Sequence, residues 1–427
     1  MTATCKLNRL LRYHLFVLLT LIGGLSVSAQ LSAPTTPSLG NTAFPSTRPA
    51  VGPMLNIKDF GAKGDGNADD TQALKAAMQA ATKGEGTIYF PTGVYLIHPV
   101  AVPSHITLLG HSAWAYENKD GRDDEYEGRT KLVALSGDAR ALLDLGDSRG
   151  TRILGLTLDG KQLGDGMHGI YARHAGCEQY ICIEDCRINH FSGSGIRLER
   201  SWVFSVRRSL IMFNGEHGID LTGGYDGWVI DCQLTANKGA GLFARGSAPE
   251  NMSAEEKASL KFFGTASVMV TANRIEWNRA GGVLLKGSNS MQVTGCAIDH
   301  NFGPGISLEK STGNTITGCM VRSNGAERQG DACSQIILKD CKGTSVTGNT
   351  LWGWYNRKEG KFDYPYPYYG IVVQNLAGCN VSQNALYHSS SKAGVQDYGG
   401  HLSTFIGQNM YVKPKIELVE GGFRLID

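Results

Sequence analysis

Between residues 168 and 245 the chain sets acids, bases and fixed cations at a recurring interval: His168, Tyr171 and Arg173, then Arg197 and Glu199, then Glu216, His217 and Asp220, then Arg245. Imidazoles and carboxylates move protons, and guanidinium groups hold negative charge without giving up their own proton. Two chemistries can be built from such a set. One takes a proton from a carbon beside a carboxylate, with His217 or Arg197 as the base and Arg173, Arg245 and Lys286 stabilising the charge that forms. An arginine base needs unusual conditions, so His217 is the easier choice. The other is hydrolysis between Asp220 and Glu199, which strand spacing sets roughly 8 Å apart, a separation suited to inversion. Neighbouring arginines work against it, because they favour the ionised form of a group that must act as an acid. The plain alternative is a solvated face carrying ordinary ion pairs, such as Arg173 with Glu199.

These residues are positioned by a phrase of Gly, a branched apolar residue, any residue and another apolar one. It opens at Gly169, Gly195, Gly218, Gly241, Gly282, Gly305, Gly370 and Gly394, with a degenerate copy at Gln335-Ile336-Ile337-Leu338. Most glycines follow one another at 23 to 26 residues, and the longer gaps read as repeats carrying insertions. Before the glycines run a column of Cys186, Ser209, Cys232, Asn273, Cys296 and Cys319 and a column of Asn214, Asn237, Asn278, Asn301 and Asn324. Short period-two apolar runs broken by Gly and Asn are strands and turns, and a helical solenoid has no room in such a repeat. The pattern predicts an all-β, single-stranded parallel β-helix, right-handed because crossovers between parallel strands are.

In that fold the apolar residues of the phrase face the core and two columns face outward. The first reads Tyr171, Arg197, Asp220, Phe243, Leu284, Ser307, Ile337, Val372, Gln396, and the second Arg173, Glu199, Thr222, Arg245, Lys286, Glu309, Lys339, Gln374. His168, Ser194, Glu216 and His217 stand just before the strands. The asparagines are expected to take left-handed turn conformations and to hydrogen-bond from coil to coil. The cysteines are expected to fill a turn, since parallel stacking gives poor disulfide geometry and no second pair completes a metal set. No carboxylate motif indicates a metal, though acids on adjacent coils can assemble a calcium site without one.

The ends of the chain set the class. Lys6, Arg9 and Arg12 precede an apolar run and the small-residue site Val27-Ser28-Ala29, which predicts a signal peptide over residues 1–29 and no membrane anchor after its removal. Residues 30–53, rich in Pro, Ser, Thr and Ala, read as a linker. Residues 54–427 are expected to form one solenoid domain, with a cap over 54–100 and repeats over about 151–410. Without the three basic residues of the leader, 38 Lys and Arg face 39 acids, which gives no case for nucleic acid. The expected location is secreted or periplasmic.

The most distinctive passage is Asn56-Ile57-Lys58-Asp59-Phe60-Gly61-Ala62-Lys63-Gly64-Asp65-Gly66, followed by Asp69-Asp70-Thr71-Gln72-Ala73-Leu74. It reads as a strand, a Gly-rich turn and a helix capped by Asp69 or Asp70 and running through Ala81. The passage resembles the opening of the pectate lyase superfamily, in the branch shared with rhamnogalacturonase-like and epimerase-like proteins. The resemblance implies a right-handed parallel β-helix and, in many members, cleavage, epimerisation or binding of polysaccharides. Oligomers are common among such solenoids. Polygalacturonases are only partly echoed: Glu216-His217-Gly218 and Arg274-Ile275-Glu276 depart from their motifs and their paired aspartates are missing, so that mechanism is not carried over.

Insertions bordering the same strand add aromatics that suit sugar rings, among them Trp354 and Tyr369. The resulting expectation is a secreted enzyme cleaving an acidic, pectin-like polysaccharide. β-Elimination leads, with an inverting hydrolase on the same groove as the alternative and a non-catalytic glycan-binding or adhesive protein as the rival class. Catalytic candidates are His217, Arg197, Asp220 and Glu199. Substrate-binding candidates are His168, Tyr171, Arg173, Glu216, Arg245, Lys286, Trp354 and Tyr369.

Overall fold

A computed structural model describes residues 54–84, 86–111, 129–173, 176–246, 264–326, 329–353 and 367–412, with the backbone of 416–419 and 422–425. The expected leader and linker lie outside these residues, as does Trp354.

Three parallel sheets of 13, 13 and 11 strands are stacked from short strands, each coil giving one strand to each sheet except the first and last, which give none to the third. Leu210–Met212 of the second sheet, for example, leads into Ile219–Thr222 of the third, and Tyr225–Ile230 of the first sheet begins the next coil. Pairing in the third sheet is in register with the repeated phrase, so that Ile196, Ile219, Leu242, Val283 and Ile306 succeed one another. All five are fully buried in one continuous core. Each such side chain contributes about 1.5–3 kcal/mol by leaving water. The phrase begins with Gly because the coils approach closely there: a Cβ on Gly218 would stand 2.6 Å from the carbonyl oxygen of Gly241.

Asn214, Asn237, Asn278 and Asn301 each donate through Nδ2 to the Oδ1 of the next asparagine at 2.9 Å, ending on Asn324. Gln335 completes this run. Its Oε1 accepts from Asn324 Nδ2 at 2.9 Å, which explains why the degenerate phrase carries an amide where the others carry Gly. The expected left-handed asparagines are corrected: the positive φ falls one residue earlier, at Phe213, Ala236, Trp277, His300 and Ser323. Bending there leaves each asparagine buried, where its amide meets the next coil instead of solvent. Cys186, Cys232, Cys296 and Cys319 are buried free thiols. The Cys232 thiol donates weakly to the carbonyls of Ile230 and Val206.

A helix over Thr71–Ala81 buries Leu74, Ala77, Met78 and Ala81 against the core of the first coils. Its start differs from the expected cap. Asp70 occupies the N-cap without a capping bond, because its carboxylate accepts from Lys63 N at 2.6 Å and Gly64 N at 3.0 Å and so fixes the Gly-rich turn. Asp69 accepts from Thr71 N at 2.9 Å instead.

Candidate active site

The register of the third sheet assembles both outward columns as the spacing requires: Tyr171, Arg197, Asp220 and Phe243 are consecutive neighbours, as are Arg173, Glu199, Thr222 and Arg245. One further neighbour was missed. Asp144 pairs with Tyr171 at the N-terminal end of the first column. Its signal was the alternation Leu143-Asp144-Leu145, overlooked because that strand lacks the initial Gly.

Asp220 is the centre of the patch, and its side chain is 2% exposed. One carboxylate oxygen accepts from Thr222 Oγ1 at 2.8 Å. The other lies 3.3 Å from Arg245 Nη2 and 3.9 Å from Arg197 Nη1. Arg245 Nε also donates to Thr222 Oγ1 at 3.0 Å, which locks the acid, the hydroxyl and the guanidinium into one unit. Arg197 Nε is buried with no hydrogen-bond partner.

Glu199 does not form the expected pair with Arg173; it accepts the hydroxyl of Tyr171 at 2.6 Å. Burial, then that carboxylate, push the Tyr171 phenol up to about 12, so it is a hydrogen-bond donor. The guanidinium of Arg140, another residue not foreseen, lies 3.8 Å from the centre of the Tyr171 ring and 2.6 Å from Asp144.

His168 and His217 occupy equivalent places two repeats apart, with Ser194 at that place on the coil between. His168 Nδ1 accepts from Ser194 N, and His217 Nδ1 from Ala240 N, both at 2.9 Å. Glycine makes room for each ring, since a Cβ on Gly193 or Gly239 would come 2.6 Å from the respective Nδ1. A backbone N–H can only donate, so each Nδ1 is unprotonated and the neutral ring carries its proton on Nε2. Burial lowers both imidazole pKa values, and Arg197 and Arg245 around His217 lower it further, against Asp220 and Glu216. With Nδ1 taken by the Ala240 N–H, the base role expected of His217 would require the other nitrogen, Nε2, to be free of its proton.

Glu216 is exposed and accepts from Ser194 Oγ at 3.2 Å. Lys286 stands next to Arg245 in register, with its amino group 3.6 Å from Glu309. Tyr369 is not brought to the patch: it lies on a strand five coils beyond Asp220, roughly 24 Å along the stack. Among the described residues no cluster of acids, histidines and cysteines is arranged to hold a metal ion.

Residues 54–122 match the family described as Rhamnogalacturonase A/epimerase, pectate lyase-like, and residues 165–258 and 251–356 match Right handed beta helix region. The fold is that of a right-handed parallel β-helix, and the opening of the chain is similar to the rhamnogalacturonase A/epimerase, pectate lyase-like family. It is similar to Alginate lyase 7 of Azotobacter vinelandii, 29% identical over 198 residues that make up 42% of this chain and 21% of the relative. It is likewise similar to Mannuronan C5-epimerase AlgE2 of the same organism, 29% identical over 197 residues, 42% of this chain and 18% of that one. The chain thus spans about a fifth of the length of these curated relatives. Among solved structures it shares its fold with the A-module of the Azotobacter vinelandii mannuronan C-5 epimerase AlgE6, at a TM-score of 0.63 and 20% identity, covering 84% of this chain and 100% of that one.

Proposed function

We propose that the chain modifies an acidic polysaccharide by removing the proton beside a uronate carboxylate, with β-elimination as the outcome. The observation that carries this reading is the convergence of Arg197, Arg245 and the neutral His217 around Asp220, a site that offers positive charge and a proton donor to a carboxylate gaining charge. In this reading Arg197 and His217 Nε2 bind the uronate carboxylate, and Glu199 takes the carbon-bound proton. Tyr171, which donates to Glu199, supplies a proton to the leaving oxygen. Asp220 positions the two arginines.

The names of the similar proteins, a lyase and epimerases of uronate polymers, support the same first step. Inverting hydrolysis fits less well, because Asp220 and Glu199 are both already engaged as hydrogen-bond acceptors and neither offers a free acid. Export through residues 1–29 is part of the proposal. Among the described residues no helix is long and apolar enough to cross a membrane.

The test is incubation with a panel of uronate polymers in heavy water, recording ultraviolet absorbance, reducing ends and deuterium on the carbon beside the carboxylate. Absorbance together with new ends supports elimination. Deuterium without new ends means epimerisation, and ends with neither absorbance nor deuterium mean hydrolysis. Binding without any of these signals moves the protein to the glycan-binding class.

A further inference from the structure

The two ends of the solenoid differ. At the N-terminal end the helix Thr71–Ala81 lies against the first coils and buries Leu74, Ala77, Met78 and Ala81. At the C-terminal end the three sheets stop at Ala393–Asp397, Phe405–Gly407 and Met410–Val412, and among the described residues no further strand pairs with these.

The core is correspondingly open there. Tyr411 continues the buried row of Leu351 and Leu386 yet is 37% exposed. Ile406, which follows Val346 and Val381, and Val395, which follows Ile371, are only partly buried. On the rim Leu402 and Met410, at 69% and 70%, are the most exposed large apolar residues among those described.

Three residues beyond Val412 the chain supplies a second unpartnered surface. Strands Ile416–Val419 and Gly422–Leu425 pair antiparallel as a separate two-stranded sheet that joins none of the three long ones. In its register Ile416 stands opposite Leu425 and Leu418 opposite Phe423, whereas Glu417 stands opposite Arg424 and Val419 opposite Gly422. Alternation along each strand puts the first four residues on one face, wholly apolar, and an opposite-charge pair on the other. A two-stranded hairpin is marginal in water and needs something to pack on.

We propose that this hairpin covers the C-terminal end of the solenoid, laying Ile416, Leu418, Phe423 and Leu425 across Val395, Ile406 and Tyr411. The tether selects this occupant over a second copy of the chain. Residues 413–415 carry the backbone at most about 14 Å from Val412 to Ile416, so the hairpin starts at the open end. It meets that end at an effective concentration of roughly millimolar order, the range for short linkers. A separate molecule at ordinary protein concentrations competes poorly with it. The hairpin also does more than bury apolar surface. The last strands carry unpaired backbone N–H and C=O groups, on which the end of another solenoid can add, and a covered end blocks that association.

Hydrogen exchange read by mass spectrometry, with light scattering for mass, tests this on the full chain. In a Leu418→Ser, Phe423→Ser double variant the amides of residues 405–412 should exchange at least about tenfold faster, the factor expected from losing the burial of large apolar side chains. The variant should also associate as its concentration rises. Amides of residues 345–352, inside the stack, should not change, which shows that the coils remain folded. A Glu417→Ser, Arg424→Ser variant alters only the opposite face and should behave as the unaltered protein. Equal exchange at residues 405–412 with and without the double substitution would overturn the proposal, and equal effects of the two variants would overturn the assignment of faces. The unaltered protein gives a test that needs no variant: residues 405–412 should exchange no faster than residues 380–387 on the coil before, and the rapid exchange of a bare edge would overturn the proposal. Protection present only in a dimer would overturn it too, since a second copy is then the cover.

Discussion

The asparagine run and the first outward column are both stacks of side chains one coil apart, yet they are built on opposite rules. In the run a single residue type solves one problem repeatedly: Asn214, Asn237, Asn278 and Asn301 each give an amide hydrogen to the next amide oxygen. In the column Tyr171, Arg197, Asp220 and Phe243 are all different. Amides can repeat because each carries both a donor and an acceptor. Charges repeat at a cost, since like charges in register repel. The stability of this solenoid comes from keeping the repeat, and its chemistry arises where the repeat is broken.

Breaking the column should cost activity far more than stability. Arg197→Ala is expected to lower kcat/KM on the active polymer by about 10²- to 10³-fold, as for loss of one preorganised charge stabiliser. The unfolding free energy should move by less than about 1 kcal/mol, because the side chain is part-exposed and Arg245 still pairs with Asp220. A change confined to stability would place Arg197 outside the site.

Breaking the run should do the reverse. Asn278→Ala strands the amide and backbone N–H of Asn237 and the carbonyl of Leu234, all buried. A loss of about 3 kcal/mol in denaturant unfolding is expected, from two or three unsatisfied groups. Turnover per folded molecule should stay within about twofold, since no run residue reaches the patch.

The histidines sharpen the comparison through pH. Burial lowers the folded pKa of His168 and His217 below the ordinary imidazole value of about 6.5. Below pH 6.5 the unfolded chain binds protons that the folded chain refuses, so stability is complete above that pH and declines as pH falls toward the depressed folded values. The decline is at most about 1.4 kcal/mol per pH unit for each ring. Thermal unfolding of a His168→Gln, His217→Gln double variant should lose this slope. If the slope persists, it belongs to other groups.

The smallest effect concerns the thiols. Burial pushes Cys186 and Cys232 up to about 12 and Cys182 up to about 11. Alkylation of the native protein at neutral pH should therefore reach Cys177 first, with the others protected until unfolding. Rapid native labelling of Cys232 would show that the turns inside the stack open readily.

Much of this was legible because a parallel β-helix turns one-dimensional spacing into neighbourhood. An interval of 23 residues is one coil, and alternation along a short strand separates core from surface. The columns through Tyr171 and Arg173 could thus be written down before any coordinates, and the pairing reproduces them. The asparagines were identified correctly as coil-to-coil hydrogen bonders but given the wrong backbone conformation, since residue type alone does not say which of two adjacent positions bends. Asp144 and Arg140 escaped notice because they precede the regular phrase.

The sequence by itself determined which residues stack and which side they take, because period and alternation follow from the backbone. Only the tertiary structure decided what those neighbours do. That the His217 ring accepts at Nδ1 and keeps its proton on Nε2 follows from the Ala240 N–H, 23 residues away in the chain. That Glu199 accepts from Tyr171 and does not pair with Arg173 is likewise decided only in three dimensions. Spacing fixes where a side chain starts, whereas the hydrogen-bond partner at its far end fixes its protonation and reach.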